Sequence, residues 1–298
     1  MGAPHRRKGT SKKIQTVTIL CGGNSEERKI SILSGKNVHD SLKKKGIGSK
    51  LFIWDGNFES LKKIDDPVCF IALHGSPGEN GKVQNYLEKL GIKYTGSKAE
   101  SCELTYDKIR TKEFFLKIGV KTPKWWEKKP NHYPYMIKPR FGGSSIGTKL
   151  CFAKSDCQTL NNDCFYEEYI DGREISISIV EINGNVEMLP ILEIIPAGDF
   201  YDYNSKYTSN GAKLIAPAAL SKSEQTHITK LSLKIYKYMA LRDFARIDGI
   251  ISREEVYFLE VNSIPGMTPM SDLPASAKAG GYSLGEIALQ VIKTACRR

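Results

Sequence analysis

Tyr257-Phe258-Leu259-Glu260-Val261-Asn262-Ser263, running on into Pro265-Gly266-Met267-Thr268, decides how the rest of the chain is read. Its apolar and aromatic residues alternate as in a buried strand. Strand side chains repeat every second residue, so Glu260 and Asn262 fall on one face. Shortly upstream, Phe244-Ala245-Arg246-Ile247-Asp248-Gly249 repeats the pattern and puts Arg246 and Asp248 on one face. A hairpin turn through Ser252-Arg253-Glu254-Glu255 sets the two strands side by side. Asp248, Glu260 and Asn262 then form a cluster of hard oxygen donors with the cation Arg246 beside it. Such a cluster suits Mg2+ carrying nucleotide phosphates, because Mg2+ binds few carboxylates and leaves its other positions to phosphate and water. A salt-bridged surface hairpin is the alternative, and the remaining chain has to decide between them.

The composition bounds the choice. The 298 residues are enough for two or three domains with real cores, and a hydrophobic content of 40% with 26% charged residues is ordinary for a globular protein. No apolar run approaches the roughly 18 residues that a membrane span needs. The net charge of +11 invites a nucleic-acid reading, but Arg6, Arg7, Lys8, Lys12 and Lys13 contribute five of those charges before the first apolar segment. Residues 1–13 have neither a signal-peptide core nor a myristoylation motif and read as a disordered basic leader. Among the seven cysteines, Cys151, Cys157 and Cys164 are separated by five and six residues, which matches neither a zinc pattern nor a disulfide framework. A reducing cytoplasm is the simplest compartment.

The chain opens with a β-branched run, Thr16 to Cys21, followed by Gly22-Gly23-Asn24-Ser25 and a helical pattern through Leu42. Strand, glycine turn and helix begin an α/β unit, with Ser25 the expected N-cap and Glu26 and Glu27 in the first turn. Lys50 to Trp54 and Val68 to Leu73 read as further strands. The second opens onto His74-Gly75-Ser76-Pro77-Gly78, a loop at a strand's carboxyl end where α/β sheets bind ligands. His74 there could orient a substrate or simply bond a neighbouring backbone. Val83 to Leu90 reads as a helix and Ile92 to Thr95 as another strand.

Asp107 begins a lysine-rich helix that runs to Ile118. Tyr135 to Pro139 is an apolar strand ending in Lys138, and it leads into Phe141-Gly142-Gly143-Ser144-Ser145-Ile146-Gly147. Backbone N–H groups and hydroxyls of such a loop can lie over polyphosphate, although the spacing is not that of a Walker loop. The alternating run Cys164 to Ile170 can carry an adenine ring on apolar side chains, with Glu167 and Glu168 at its rim. Residues 198–213 are polar and aromatic with little pattern, the character of a functional lid. Gln225 to Leu241 and Ala275 to Ala295 read as helices, the latter broken by Gly280-Gly281.

Taken in order, Gly22-Gly23-Asn24-Ser25, His74-Gly75, Asp107-Lys108 with Arg110-Thr111-Lys112, Ile137-Lys138-Pro139 and Gly143-Ser144-Ser145-Ile146-Gly147 form one series. It continues through Phe200-Tyr201-Asp202-Tyr203, Lys206-Tyr207, Arg246-Ile247-Asp248 and Glu260-Val261-Asn262 to Thr268. This series resembles the D-alanine:D-alanine ligases of the ATP-grasp superfamily from Val17 to the C-terminus.

The resemblance implies an α/β (α+β) protein of three domains. A parallel-sheet N-terminal domain spans residues 14–98, a central subdomain 99–167, and a C-terminal catalytic domain 168–298 with the lid 198–213. ATP would lie between the central and C-terminal domains. Lys108, Lys138, Ser145 and Lys206 would contact its phosphates, and Glu167, Glu168 and Glu174 its adenine and ribose. Asp248, Glu260 and Asn262 would hold two Mg2+ ions. Arg246, Ser144, Tyr207, Lys206 and the Gly266 backbone would serve catalysis, and Glu27, Lys29, His74, Ser271 and Asp272 would meet the amino-acid substrates. Tyrosine at 207 resembles the members that use an amine nucleophile. The resemblance further implies a cytoplasmic homodimer acting on small amino-acid-like substrates in cell-wall precursor synthesis, with neither nucleic acid nor membrane as partner.

Two positions depart from the family pattern. Lys29 stands where a second glutamate usually follows the Glu-Arg pair, and Asp272 stands where leucine usually follows the serine. A lysine about 4 Å from a substrate ammonium would cost about 4 kcal/mol at an effective dielectric of about 20. Three readings follow: a D-alanine:D-alanine ligase in which Glu26 or Glu27 replaces the lost contact, an amide ligase of a specialised pathway with other partners, and a non-catalytic nucleotide- or nucleic-acid-binding protein.

Overall fold

The computed structural model describes residues 16–154, 163–196, 212–253 and 255–298. Strand β1 (Thr18–Gly22) is buried along its whole length because parallel strands β2 (Lys50–Trp54) and β3 (Cys69–Ile71) flank it on both sides. Helix α1 (Arg28–Lys44) lies on this sheet through Ile30, Ser34, Val38 and Leu42. The approach is close. A Cβ added to Gly35 would sit 2.6 Å from the Cβ of Cys21, so only glycine lets α1 settle onto β1.

Three local expectations change. Glu27, not Ser25, occupies the N-cap of α1, and no acidic residue lies in its first turn. The Ser25 hydroxyl is committed elsewhere: it accepts from the Glu27 N–H at 3.2 Å and donates to the His74 carbonyl at 2.7 Å, tying the glycine turn to the histidine loop. Ile92 to Thr95 forms a single bridge, Tyr94 to Cys69, and no strand. The Thr95 hydroxyl takes the Ile71 N–H that a carbonyl would have taken, and Gly96 at φ +96° turns the chain away. Finally, α2 (Lys82–Lys89) is followed by an unanticipated helix, α3 (Ala99–Tyr106), whose sequence AESCELTY has no clear apolar stripe.

Helix α4 (Lys108–Lys117) starts at Asp107, whose carboxylate accepts from the N–H groups of Ile109 and Arg110. Beyond it, β4 (Trp125–Trp126), β5 (Tyr135–Pro139), β6 (Lys149–Cys151) and β7 (Cys164–Glu168) form an antiparallel sheet in the order β4-β7-β5-β6. Its pleat turns Tyr135, Ile137 and Tyr166 into a small core. Met136 and Lys138, with Glu167 opposite Met136, therefore occupy the other face.

The large sheet is built from β8 (Arg173–Ile182), β9 (Asn185–Met188), β10 (Leu192–Pro196), β11 (Ala212–Ile215), β12 (Phe244–Ser252) and β13 (Glu255–Asn262), in the order β11-β10-β8-β12-β13 with β9 on β8. Its Ile175, Ile177, Ile247, Phe258 and Val261 pack under α4 and α5 (Lys222–Tyr238). The alternation places Arg246, Asp248 and Ser176 on the opposite face. Helices α6 (Asp272–Ala279) and α7 (Leu284–Cys296) close the chain, separated by Gly280 and Gly281 as expected. Residues of α6 and α7, including Leu273, Ile287 and Val291, share one core with Ile19, Val38 and Phe70, so the first sheet and the last helices pack together. No helix among the described residues is long and apolar enough to cross a membrane.

Candidate active site

The hairpin expected from the sequence forms, and its register sets the site. Arg246 pairs with Asn262 and Asp248 with Glu260 across β12 and β13, while Ser178 and Ser176 pair with Arg246 and Asp248 from β8. Two rows of polar side chains thus cross three strands, Ser176-Asp248-Glu260 and Ser178-Arg246-Asn262. A register shift between Asp248 and Gly249 closes the pattern just beyond.

Arg246 grips Asp248 through Nε at 2.9 Å and Nη2 at 2.8 Å. Asp272, at the first turn of α6, places a second carboxylate 3.5 Å from Arg246 Nε. The Ser176 hydroxyl lies between the two carboxylates, 2.9 Å from Asp248 and 3.3 Å from Asp272. Burial disfavours the guanidinium charge, yet Asp248 and Asp272 outweigh it and hold the Arg246 pKa well above its ordinary value.

A cavity of about 330 Å³ separates the four-stranded sheet from the large one. Lys138, Glu167 and Glu168 line it from one side and Glu174, Asp248 and Glu260 from the other, with Ser145 from the glycine loop. Lys108 reaches the same space. Its Nζ lies 3.6 Å from Glu260 and donates to the Gly142 carbonyl at 2.5 Å. The loop is fastened at its base, where Arg140 forms two hydrogen bonds to Asp107 at 2.9 and 2.7 Å. Burial works against the Asp107 carboxylate, but Arg140 and the capped N–H groups prevail and hold its pKa below the ordinary range.

Glu167 is buried and ion-paired on both sides, to Lys112 at 2.5 Å and to Lys138. Burial opposes its ionisation, and the two ammonium groups overcome that, keeping its carboxyl below the usual range. Glu168 stands at the rim and accepts from the Lys124 N–H at 3.1 Å.

A smaller cavity of about 50 Å³ adjoins the first. Glu27, His74 and Ser144 face Arg246, Asn262 and Gly266 across it, with Ser271 and Asp272 at one end. Ser144 and Ser145 both adopt left-handed backbone, φ 54° and 56°, a conformation that costs energy for non-glycine residues. At that angle the Ser144 hydroxyl donates to Glu27 at 2.5 Å. His74 is buried, with Nε2 2.9 Å from the Ser34 hydroxyl and Nδ1 3.4 Å from Glu79. Ser34 also accepts from the Met267 N–H at 3.2 Å, which links the histidine to the loop carrying Gly266. The Ser271 hydroxyl holds Thr268 at 2.8 Å.

Lys29 is exposed and lines neither cavity, whereas Glu27 and Ile30 line the smaller one. A helix advances about 100° per residue, so Lys29 points some 200° away from Glu27. Asp272 does line both cavities, and Arg246 and Ser176 partly answer its charge. Lys206 and Tyr207, and all but the last two residues of the expected lid 198–213, lie outside the described residues.

Lys112, Arg140 and Glu79 have no role in the sequence motifs, yet they stand in or beside the site. A lysine four residues after Lys108 on one helix was the available signal for Lys112, since such pairs share a face.

The donor set suits Mg2+. Among the described residues no three His, Cys, Asp or Glu side chains gather as a metal cage. Two carboxylates and an amide in adjacent register at a cavity wall instead leave coordination positions for phosphate and water.

Known proteins resemble this chain over nearly its whole length. Residues 106–293 match the family model described as D-ala D-ala ligase C-terminus. A D-alanine–D-alanine ligase of Thermotoga petrophila is 41% identical over 94% of this chain and 97% of its own length. One from Fusobacterium nucleatum is 36% identical over 93% and 98%. Among solved structures, the D-alanine–D-alanine ligase of Bacillus anthracis superposes with a TM-score of 0.83 at 31% identity, covering 95% of this chain and 98% of that one. The same enzyme complexed with ATP gives 0.79 at 30% identity, over 96% and 98%.

Proposed function

The chain belongs to the D-alanine–D-alanine ligase family and is an ATP-dependent ligase, and from that premise we propose that it joins two D-alanine molecules through an acyl-phosphate intermediate, as a cytoplasmic homodimer supplying peptidoglycan precursor. One observation carries the reading: on adjacent registers of one hairpin, Asp248 and Glu260 line a nucleotide-sized cavity and Asn262 lines the small polar one that adjoins it.

In this mechanism ATP occupies the larger cavity. Lys138 and Lys108 offset its phosphate charge, and Ser145 and the glycine loop donate to phosphate oxygens. Glu168 and Glu174 serve adenine and ribose, with Glu167 at the cavity's back. Asp248, Glu260 and Asn262 would hold Mg2+, which offsets charge on the phosphate oxygens. The first amino acid lies in the smaller cavity with its ammonium at Glu27. Its carboxylate oxygen attacks the γ-phosphorus, the bond to the bridging oxygen breaks, and ADP leaves with that electron pair. The amine of the second molecule, oriented by Ser271, then attacks the acyl carbon, and inorganic phosphate departs as the amide forms. Arg246 and the Gly266 N–H stabilise the oxyanion in between, where loss of one such donor costs roughly 3 to 4 kcal/mol. The three domains proposed are 14–98, 99–167 and 168–298.

A second reading rests on Asp272, a carboxylate only 7% exposed at the junction of both cavities. It favours a second substrate bearing a cation over plain D-alanine. A non-catalytic binding protein finds no support in a family of ligases. ATP-dependent phosphate release with D- and L-amino acids, alone and in pairs, tests these readings. Turnover on D-alanine alone is expected. Turnover only with a cationic partner would transfer the assignment to the second reading.

A further inference from the structure

We propose that Lys112, which touches neither cavity, is a positioning residue of the nucleotide site: it neutralises Glu167 from behind, so that Lys138 in front keeps its charge for the nucleotide. The proposal rests on the assignment of the larger cavity to ATP. Lys112 is 0% exposed, and three acceptors lie within 3.3 Å of its Nζ: Glu167 at 2.5 Å, Thr122 Oγ1 at 2.9 Å and the Pro123 carbonyl at 3.3 Å. An ammonium has three donors, so this one has none left for a ligand. The Trp125 ring, 5.8 Å away, closes another side. Lys138 meets the opposite oxygen of Glu167 and, unlike Lys112, lines the cavity.

Packing alone does not account for a charge at this position. Burying an ammonium is expensive, and a methionine of similar volume would fill the space without that cost. What the ammonium adds is electrostatic. Two lysines around one carboxylate leave a net positive charge facing the cavity. With Lys112 neutral, Glu167 and Lys138 would form a closed pair. Anionic phosphates would then have to compete with a full carboxylate for Lys138.

The test is Lys112→Met in the full chain, with ATP binding measured in the presence of Mg2+ by calorimetry and the Michaelis constants for ATP and amino acid determined separately. The expected result is a Kd and KM for ATP raised about tenfold, the loss of about one charge-assisted interaction, with the amino-acid KM unchanged. A merely structural lysine would lower the melting temperature and the active fraction while leaving the ATP constants at their wild-type values, and that result overturns the proposal. Should Lys112→Met fail to fold, Lys112→Gln keeps a polar donor near Thr122 and Pro123 and removes only the charge. It is expected to raise the ATP KM about tenfold, again without moving the amino-acid KM, and unchanged ATP constants there overturn the proposal too. Wild-type protein that does not bind ATP would instead remove the assignment of the cavity, a different failure from wild-type binding that Lys112→Met leaves unaltered.

Discussion

The Ser144 hydroxyl donates to the Glu27 carboxylate at 2.5 Å, joining the glycine loop to the first helix across 117 positions of sequence. The Glu27 carboxylate, and not the neighbouring Lys29, lines the smaller cavity.

Glu27→Gln is therefore expected to raise the KM for the first amino acid about tenfold or more, since a charged partner is lost. Lys29→Ala should leave it within about twofold, the range of a solvated surface change. Steady-state kinetics on the two variants checks the pair. A large effect at Lys29 with none at Glu27 would reverse the assignment.

Glu260→Gln should abolish turnover while the protein stays folded. The amide keeps the shape of a side chain that is partly exposed at the cavity wall and removes only its negative charge. Phosphate release and a melting curve measured together decide it. An active variant would contradict the metal assignment.

The Asp107 and Arg140 clamp gives a dependence on pH whose sign can be stated. Burial raises the Asp107 pKa, Arg140 and the N–H groups together lower it by more, and the net folded value lies below the ordinary one. Stability from this group is thus fully present above the unfolded carboxylate pKa of about 3.9 and is lost as pH falls through the lower folded value. Asp107→Asn, which can still cap α4, should cost about 1 kcal/mol or less at neutral pH, because Arg140 is partly solvated. That difference should shrink only in acid. A difference that is constant with pH would mean the charge contributes nothing.

Gly35→Ala should destabilise the protein by about 1 to 3 kcal/mol, the range for overpacking a core. The new methyl would meet Cys21 Cβ at 2.6 Å and Sγ at 2.8 Å. Urea denaturation measures it, and a variant as stable as wild type would show that α1 can shift away from β1 without penalty.

Much of the site was legible because strand periodicity is local. The alternation of Phe244 to Gly249 and of Tyr257 to Asn262 was enough to put Asp248, Glu260 and Asn262 on one face, and the short turn was enough to pair them. Loops were less legible. Ser25 looked like a helix cap, yet its hydroxyl serves the His74 carbonyl, a partner 49 positions away.

By itself, then, the sequence determined many of the helices and strands, though neither α3 nor the missing strand at Ile92 to Thr95, together with the polar face of the hairpin and the order of motifs that identifies the family. Each follows from side-chain periods of two or 3.6 residues, or from residues close together along the chain. Only the tertiary structure decided which charges meet. It turned Lys29 to solvent and Glu27 inward, set Asp272 against Arg246, and buried Lys112 behind Glu167. Those outcomes depend on how helices rotate and sheets stack. The contacts that fix rotation and stacking, such as Gly35 on Cys21 or Ser144 on Glu27, join residues that no local pattern relates.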